Sequence, residues 1–418
     1  MSGVKHKKII IRADGNASIG AGHLMRCLTI ADGFQDRADV GFLCADEDSA
    51  ALVVDRGYDA YVLGTDYRDM EAELPVWKRL FAGSYSENQE GSILVSQKAD
   101  ELVSANRESG EPVSQKADEL VSANRESGEP VSQKADELVS ANRDVGEPSS
   151  RNRVILADSY YITNSYMAGL REYGKVVVLD DMAKIAWNAD AVINYNVFAH
   201  QEMYEALQGT YGTLFYTGGR YIPIRREFCG RNYAVRERVE NILITTGGGD
   251  QENIAGQILE CIHLPICQYH VVTGRFNPHY DSLLQLARAH QNIHIYHDVR
   301  DMAGLMEQSD LAVTAGGTTI YELSAIGVPF VCFSYAENQE KLTEYIGKNK
   351  IAGYGGAFHK TPEQTLVSIK EQINSLIENY DLRLRCSKAE RQLVDGQGAT
   401  RIAKMLYGLC FTHSHGSE

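Results

Sequence analysis

No run of the sequence approaches the ~18 apolar residues that a membrane-spanning helix needs. None of the eight cysteines (27, 44, 229, 261, 267, 332, 386 and 410) forms a Cys-x-x-Cys pair. Most of them lie in apolar segments, so the expected state is reduced core thiols with no disulfide and no metal. Lysine and arginine nowhere gather into a stripe, and the formal net charge is -15. That balance excludes a nucleic-acid backbone as partner, and any phosphate site must therefore be local. Lys5, His6, Lys7 and Lys8 precede only three consecutive isoleucines, too short for the apolar core of a signal sequence. The expected location is the cytoplasm.

A chain of 418 residues exceeds what one core usually supports, and two domains of roughly 150 to 200 residues are expected. Short apolar runs alternate with helical patterns, which argues for βαβ units, parallel sheets and the α/β class. The spacing predicts strands near 9–13, 40–45, 60–63, 153–158, 175–180 and 191–195, then near 241–246, 268–274, 293–297, 311–315 and 329–334. Helical patterns at 362–379 and 399–410 close the chain. The reading is of two Rossmann-like doubly wound domains, 1–230 and 231–398, with 399–418 a helix and tail that crosses back to the first. Residues 95–148 are three near-identical copies of an 18-residue unit, the last carrying Asp144-Val145 for Glu-Ser. Each copy has two basic and four acidic residues, so the block supplies -6 of the net charge. It offers little large apolar area to share, which favours a surface expansion, short helices or coil outside the core, over a solenoid.

Three loops carry the chemistry. Ile9 to Ala13 reads as a buried strand that runs into a glycine loop, with His23 at the start of a helix whose stripe is Leu24, Leu28 and Ala31. Ligands of open α/β sheets bind beyond the carboxyl ends of strands. Gly20 and Gly22 let a backbone approach a ligand, and helix-start N–H groups favour anions. Without a third glycine the loop is not a dinucleotide fingerprint. The strand at 241–246 runs into Gly247-Gly248-Gly249-Asp250, either a phosphate wrap or a tight turn. The strand at 311–314 runs into Ala315-Gly316-Gly317-Thr318-Thr319 and a helix bearing Glu322, an arrangement suited to a diphosphate and ribose hydroxyls. Asn338-Gln339 opens the next helix on the same sheet edge, where Asn338 is either a ligand contact or a helix cap.

These segments, with Ala13-Asp14-Gly15-Asn16, Ile19-Gly20-x-Gly22-His23, Arg26-Cys27, Asp158-Ser159-Tyr160, Val178 to Asp181, Tyr221 to Phe228, Glu337-Asn338-Gln339 and Asp395 to Ala399, resemble a known family. It is the UDP-2,4-diacetamido-2,4,6-trideoxy-β-L-altropyranose hydrolase of pseudaminic acid biosynthesis, and the resemblance spans almost everything but the repeat. It implies glycosyltransferase fold B, two Rossmann-like domains facing a cleft, related to the N-acetylglucosaminyltransferase of peptidoglycan synthesis. It also implies removal of UDP from a UDP-sugar by water, without a metal or other cofactor. The family's catalytic histidine falls on His23, its active-site tyrosine on Tyr160, its nucleotide-contacting glutamate on Glu322 and its substrate-contacting asparagine on Asn338. On that reading Gly20, Gly22, Arg26, Tyr160 and Asn196 meet the sugar. Gly248, Gly249, Gly316, Gly317, Thr318, Thr319, Glu322, Asn338 and Gln339 meet the UDP side. The departure from the family is the insert after residue 94, in the sugar-side half, where a loop can border the cleft; nothing identifies a partner for it.

The chemistry agrees with one base. UDP is a good leaving group, so the usual pair of glycosidase carboxylates reduces to a single general base. The expected mechanism is a neutral His23 activating water for attack on the anomeric carbon opposite UDP, with inversion. Three roles stay open for Asp14: orienting the imidazole, binding a sugar hydroxyl, or capping the loop. Two other classes are open for the whole chain. One is a glycosyltransferase in which His23 deprotonates an acceptor hydroxyl, and the other is a non-catalytic interaction protein with a vestigial nucleotide site.

Overall fold

The computed structural model describes residues 8–16, 18–34, 39–81, 152–205, 207, 212–247, 249–274 and 277–411. Within them, buried apolar runs form strands that all pair in parallel, as expected where crossovers cover both faces. The first half contributes β1 (Lys8–Ala13), β2 (Asp39–Cys44), β3 (Asp59–Val62), β4 (Val154–Asp158), β5 (Lys175–Leu179), β6 (Ala191–Asn194) and β7 (Leu214–Thr217), in the order β3-β2-β1-β4-β5-β6-β7. The second contributes β8 (Asn241–Thr245), β9 (Gln268–Thr273), β10 (Ile293–His297), β11 (Leu311–Ala315), β12 (Phe330–Ser334) and β13 (Gly353–Ala357), in the order β10-β9-β8-β11-β12-β13. Each sheet reverses its strand order once, beside β1 and beside β8. Each therefore has a switch point beyond its strand ends where a crevice opens.

The helices of the described residues are α1 (Gly22–Asp32), α2 (Glu47–Val54), α3 (Leu74–Phe81), α4 (Asn164–Leu170), α5 (Glu202–Glu205), α6 (Ile254–Ile262), α7 (Tyr280–Ala289), α8 (Met302–Gln308), α9 (Thr318–Ile326), α10 (Glu337–Lys348), α11 (Pro362–Glu378), α12 (Tyr380–Leu393) and α13 (Gly398–Leu409). None is long and apolar enough to cross a membrane. Strands β7 and β13 lie outside the expected set. β7 is a half-buried edge of four residues, and β13 reads Gly-Tyr-Gly-Gly-Ala, a composition with weak strand preference that forms because β12 supplies the ladder.

The pleat of β1 sorts its residues. Ile9, Ile11 and Ala13 face α1, packing with Leu24, Cys27 and Leu28, while Ile10 faces the opposite layer of Trp77 and Tyr166. The first of these clusters runs on into residues of the second half, including Leu243, Ile320 and Ile402. Residues 218–240 join the two sheets, and α13 returns to the first half, where Lys175 Nζ donates to the carbonyl of Leu409 (2.9 Å).

The repeat at 95–148 lies outside the described residues. The chain departs after Phe81 and returns before β4, and these ends meet: the Arg153 guanidinium lies 4.4 Å from the Phe81 ring centre.

Candidate active site

Strand register brings together residues far apart in the chain. Asp158 ends β4 opposite Ala13 of β1, so its side chain shares the face on which α1 packs. There His23 Nδ1 lies 2.7 Å from Asp158 Oδ1. Nδ1 also lies 3.0 Å from Arg26 Nη2, which can only donate, but the shorter contact is to the carboxylate, which can only accept and would repel a nitrogen lone pair; that contact assigns the proton to Nδ1 and leaves Nε2 as the basic nitrogen. No hydrogen bond to Nε2 occurs among the described residues. Arg26, one turn along α1, grips the same carboxylate through Nε (2.5 Å) and Nη2. Its Nη1 donates to Asp181 Oδ2 and to the Tyr195 hydroxyl, both at 2.7 Å. Burial alone would raise the Asp158 carboxyl, but Arg26 and His23 outweigh it and hold the group well below the usual carboxylate range. Asp158 is an anion that orients the imidazole.

The second half closes over this pair. Tyr160 meets His23 edge-on, with ring centres 4.5 Å apart at 83°, and its hydroxyl accepts from Asn338 Nδ2 at 2.8 Å. Desolvation in the cleft, and then Asp181, push the Tyr160 phenol up to about 12, so it works as a neutral hydroxyl. Asn338 is not the cap of its helix: α10 is preceded by Ala336 and carries no side-chain cap. Beside it Lys184 Nζ donates to Glu337 Oε1 (3.0 Å) and Lys341 Nζ to the Met182 carbonyl (3.2 Å).

Helix α9 begins after Gly317 with no side-chain cap, leaving the first-turn N–H groups of Thr318 and Thr319 available to an anion. Gly316 is a packing requirement, since a Cβ there would lie 2.7 Å from Thr343 Cγ2 and 2.9 Å from Gln339 Cβ. Gln339 Oε1 accepts from Tyr335 N (3.0 Å) and shapes the neighbouring loop. Glu322 Oε1 accepts from Arg225 Nη2 (2.8 Å), and Arg225 is also held by Glu227 (2.8 Å). Of the two glycine-loop expectations, Gly20 sits in a turn at φ +73° with open space where a side chain would stand, and Gly22 is equally open. Gly248 lies outside the described residues.

Four of the expected site residues have partners within the protein. Asp14 makes no hydrogen bond to His23: it is bonded to Arg12 Nη1 and to Ala45 N, each at 2.7 Å, because one residue past the end of β1 it continues the alternation that puts it on the face of Arg12. Arg26, expected to meet the sugar, has its donors engaged by Asp158, Asp181 and Tyr195. Asn196 is 8% exposed and is spent within the protein, accepting from Tyr321 and donating to Asp181 and Asn194. The anion-binding end of α6, next to Gly249, is filled by the Asp250 carboxylate, which accepts from Ile254 N (2.7 Å) and Ala255 N (3.0 Å). Asp158, Asp181, Tyr321 and Arg225 received no role from the sequence. For Asp158 a signal existed, an acidic residue ending the buried strand that follows the insert. Among the described residues no group of three or more His, Cys, Asp or Glu side chains is gathered as metal ligands are.

The two sheets, alike in winding order and with their switch points turned to one cleft, define the glycosyltransferase fold B. The calicheamicin glycosyltransferase CalG4 superposes with a TM-score of 0.55 at 12% identity, covering 98% of this chain and 100% of that one. No family model matches the sequence. Over 242 residues the chain is 28% identical to the spore coat polysaccharide biosynthesis protein SpsG of Bacillus subtilis (strain 168), covering 56% of this chain and 70% of that protein. Over 175 residues it is 27% identical to the UDP-2,4-diacetamido-2,4,6-trideoxy-beta-L-altropyranose hydrolase of Campylobacter jejuni, covering 42% of this chain and 62% of that one.

Proposed function

We propose that this chain is a UDP-sugar hydrolase that cleaves the anomeric C–O bond of a UDP-linked diacetamido-trideoxyhexose, releasing UDP and the free sugar for pseudaminic-acid-type biosynthesis. The observation that carries the reading is the His23–Asp158 pair, set at one switch point with Nε2 free and faced by Asn338 from the other half. In this scheme His23 Nε2 takes a proton from water as the water attacks the anomeric carbon, and the bonding pair leaves with UDP. Asp158 holds the tautomer and stabilises the imidazolium that forms, the role of the carboxylate in a catalytic His–Asp pair. The diphosphate would sit at the start of α9, near Gly317, Thr318 and Thr319, with the ribose at the free oxygen of Glu322. Residues 1–230 would serve the sugar and the chemistry, 231–398 the UDP, and 399–418 would cross back. The relation to the Campylobacter jejuni hydrolase supports the choice of substrate, and cytoplasmic action fits that chemistry.

A glycosyltransferase is the second reading, favoured by the fold match to CalG4. Tyr160, bonded to Asn338, stands edge-on beside His23 and narrows the room for a bulky acceptor on that flank. UDP release across a panel of diacetamido UDP-sugars, with and without acceptors, decides between them. Release without acceptor, with heavy oxygen from solvent appearing in the sugar, is expected. Strict dependence on an acceptor selects the transferase, and label in UDP overturns attack at carbon.

A further inference from the structure

A run of buried polar contacts leads from α9, the helix proposed to bind nucleotide, to His23. Tyr321 precedes Glu322, is 1% exposed, and donates its hydroxyl to Asn196 Oδ1 (3.1 Å) across the boundary between the halves. Asn196 Nδ2 donates to Asp181 Oδ1 at 3.3 Å. Arg26 Nη1 donates to the other Asp181 oxygen, and Arg26 Nε and Nη2 grip Asp158, whose Oδ1 receives His23 Nδ1. One guanidinium thus divides its charge between two carboxylates.

We propose that Tyr321, Asn196 and Asp181 are positioning residues for His23, setting through Arg26 how much negative charge Asp158 presents to the imidazole. Asp158 and Asp181 compete for Arg26, and what Asn196 gives Asp181 decides how much of the cation is left for Asp158. Tyr321 orients the Asn196 amide and makes the setting depend on how the two halves meet. The groups around His23 are Asp158 from β4, with Cys27 of α1 on its other oxygen, Arg26 from α1, and Tyr160 from the segment after β4; Tyr195 reaches it through Arg26, and Asp181 through Arg26 and through the Tyr160 hydroxyl, which donates to Asp181 Oδ2 (3.5 Å). The inference rests on the reading of His23 as the base.

The test follows the His23 imidazole by NMR titration in the full chain, its resonance assigned with His23→Gln. With one anion gone and Arg26 left to Asp158, Asp181→Asn is expected to move the His23 midpoint to lower pH. Tyr321→Phe, which loosens the support of Asp181, should move it about half a pH unit the other way. If Tyr321 acts through Asp181, the Tyr321→Phe shift vanishes in the Asp181→Asn background, the signature of a coupled pair. In turnover Tyr321→Phe should lower kcat about fivefold with KM unchanged, and move the acid limb of the profile with the NMR midpoint. Should Asp181→Asn not fold, Asn196→Ser serves, with the shift direction of Tyr321→Phe and no additivity with it. Midpoints that stay put, or shifts that simply add, overturn the proposal. Absence of UDP-sugar turnover in the wild type defeats the functional reading alone, since the titration is read without substrate.

Discussion

The first half buries two arginines, each with two carboxylates and a tyrosine, and uses them differently. Arg12, 0% exposed, holds Asp14 and Glu73, and Glu73 also accepts from the Tyr166 hydroxyl at 2.7 Å. Arg26 holds Asp158 and Asp181 and adds the Tyr195 hydroxyl. The first cluster is sealed between sheet and helices. The second ends on His23 and opens on the cleft. The separation comes from the pleat, because Arg12 is at an even position of β1 and Asp14, just past its end, continues that alternation, whereas Asp158 pairs with the odd Ala13 and so faces α1. Titration follows the same division. Desolvation raises the Asp14 carboxyl despite Arg12, while Arg26 and His23 prevail over desolvation at Asp158 and lower it. Identical side chains are sealed in the interior on one face and, on the other, carry the histidine proposed as the base.

Breaking the open cluster should give the largest effect. His23→Ala removes the base and Asp158→Asn leaves it misoriented, and each should slow turnover about 10² to 10⁴-fold. UDP titration should still show binding; near-normal rates in both variants would erase the contrast. Breaking the sealed cluster should act on stability instead. Arg12→Met strands two buried carboxylates and should cost about 3–5 kcal/mol in chemical denaturation. A mild cost there together with a large loss of rate would reverse the roles assigned to the clusters.

A smaller effect is expected outside both. Glu322→Ala should weaken UDP binding by roughly 1.5–3 kcal/mol, the worth of a charged hydrogen bond, while leaving the His23 titration alone. Calorimetry with unchanged affinity in a folded variant would remove the nucleotide from α9.

The two clusters should also differ in pH dependence, by at most about 1.4 kcal/mol per pH unit for each proton. Asp158 has a folded pKa below its ordinary 3.8, so its contribution is present above that pH and is lost as the pH falls. Asp14 is shifted upward, and its protonation favours the fold. Unfolding between pH 5 and 3 should therefore respond less steeply to acid in Asp158→Asn than in the wild type, and more steeply in Asp14→Asn. Equal slopes in all three would mean that neither cluster titrates as described. The smallest change is expected from the repeat. Deleting one 18-residue unit, with Phe81 and Arg153 on either side of the whole segment already in contact, should alter stability by less than about 0.6 kcal/mol, and a variant unable to fold or turn over would show that the insert belongs to the working core.

Much of the fold was legible because parallel strands covered on both faces read as continuous apolar runs, as in Ile9 to Ile11 and Val176 to Leu179. β13 was not, since its glycine-rich sequence is a strand only by virtue of its neighbour. His23 was legible from local spacing. Its partner Asp158 is 135 residues away, and the two meet only through strand pairing. Asp14, close in sequence, was the tempting orienting group, and period-two alternation along β1 already argued against it.

By itself the sequence determined where strands turn into helices, and hence that His23, Gly317 and Asn338 stand at carboxyl ends of parallel strands. These are consequences of local hydrophobic period and of glycine's conformational freedom. Tertiary structure alone decided that Asp158, and not Asp14, holds the histidine, that Arg26 and Asn196 are engaged inside the protein, and that Asn338 reaches Tyr160. Those outcomes depend on which strand lies beside β1 and on how the second half seats against the first, both set by burial among residues far apart in the chain.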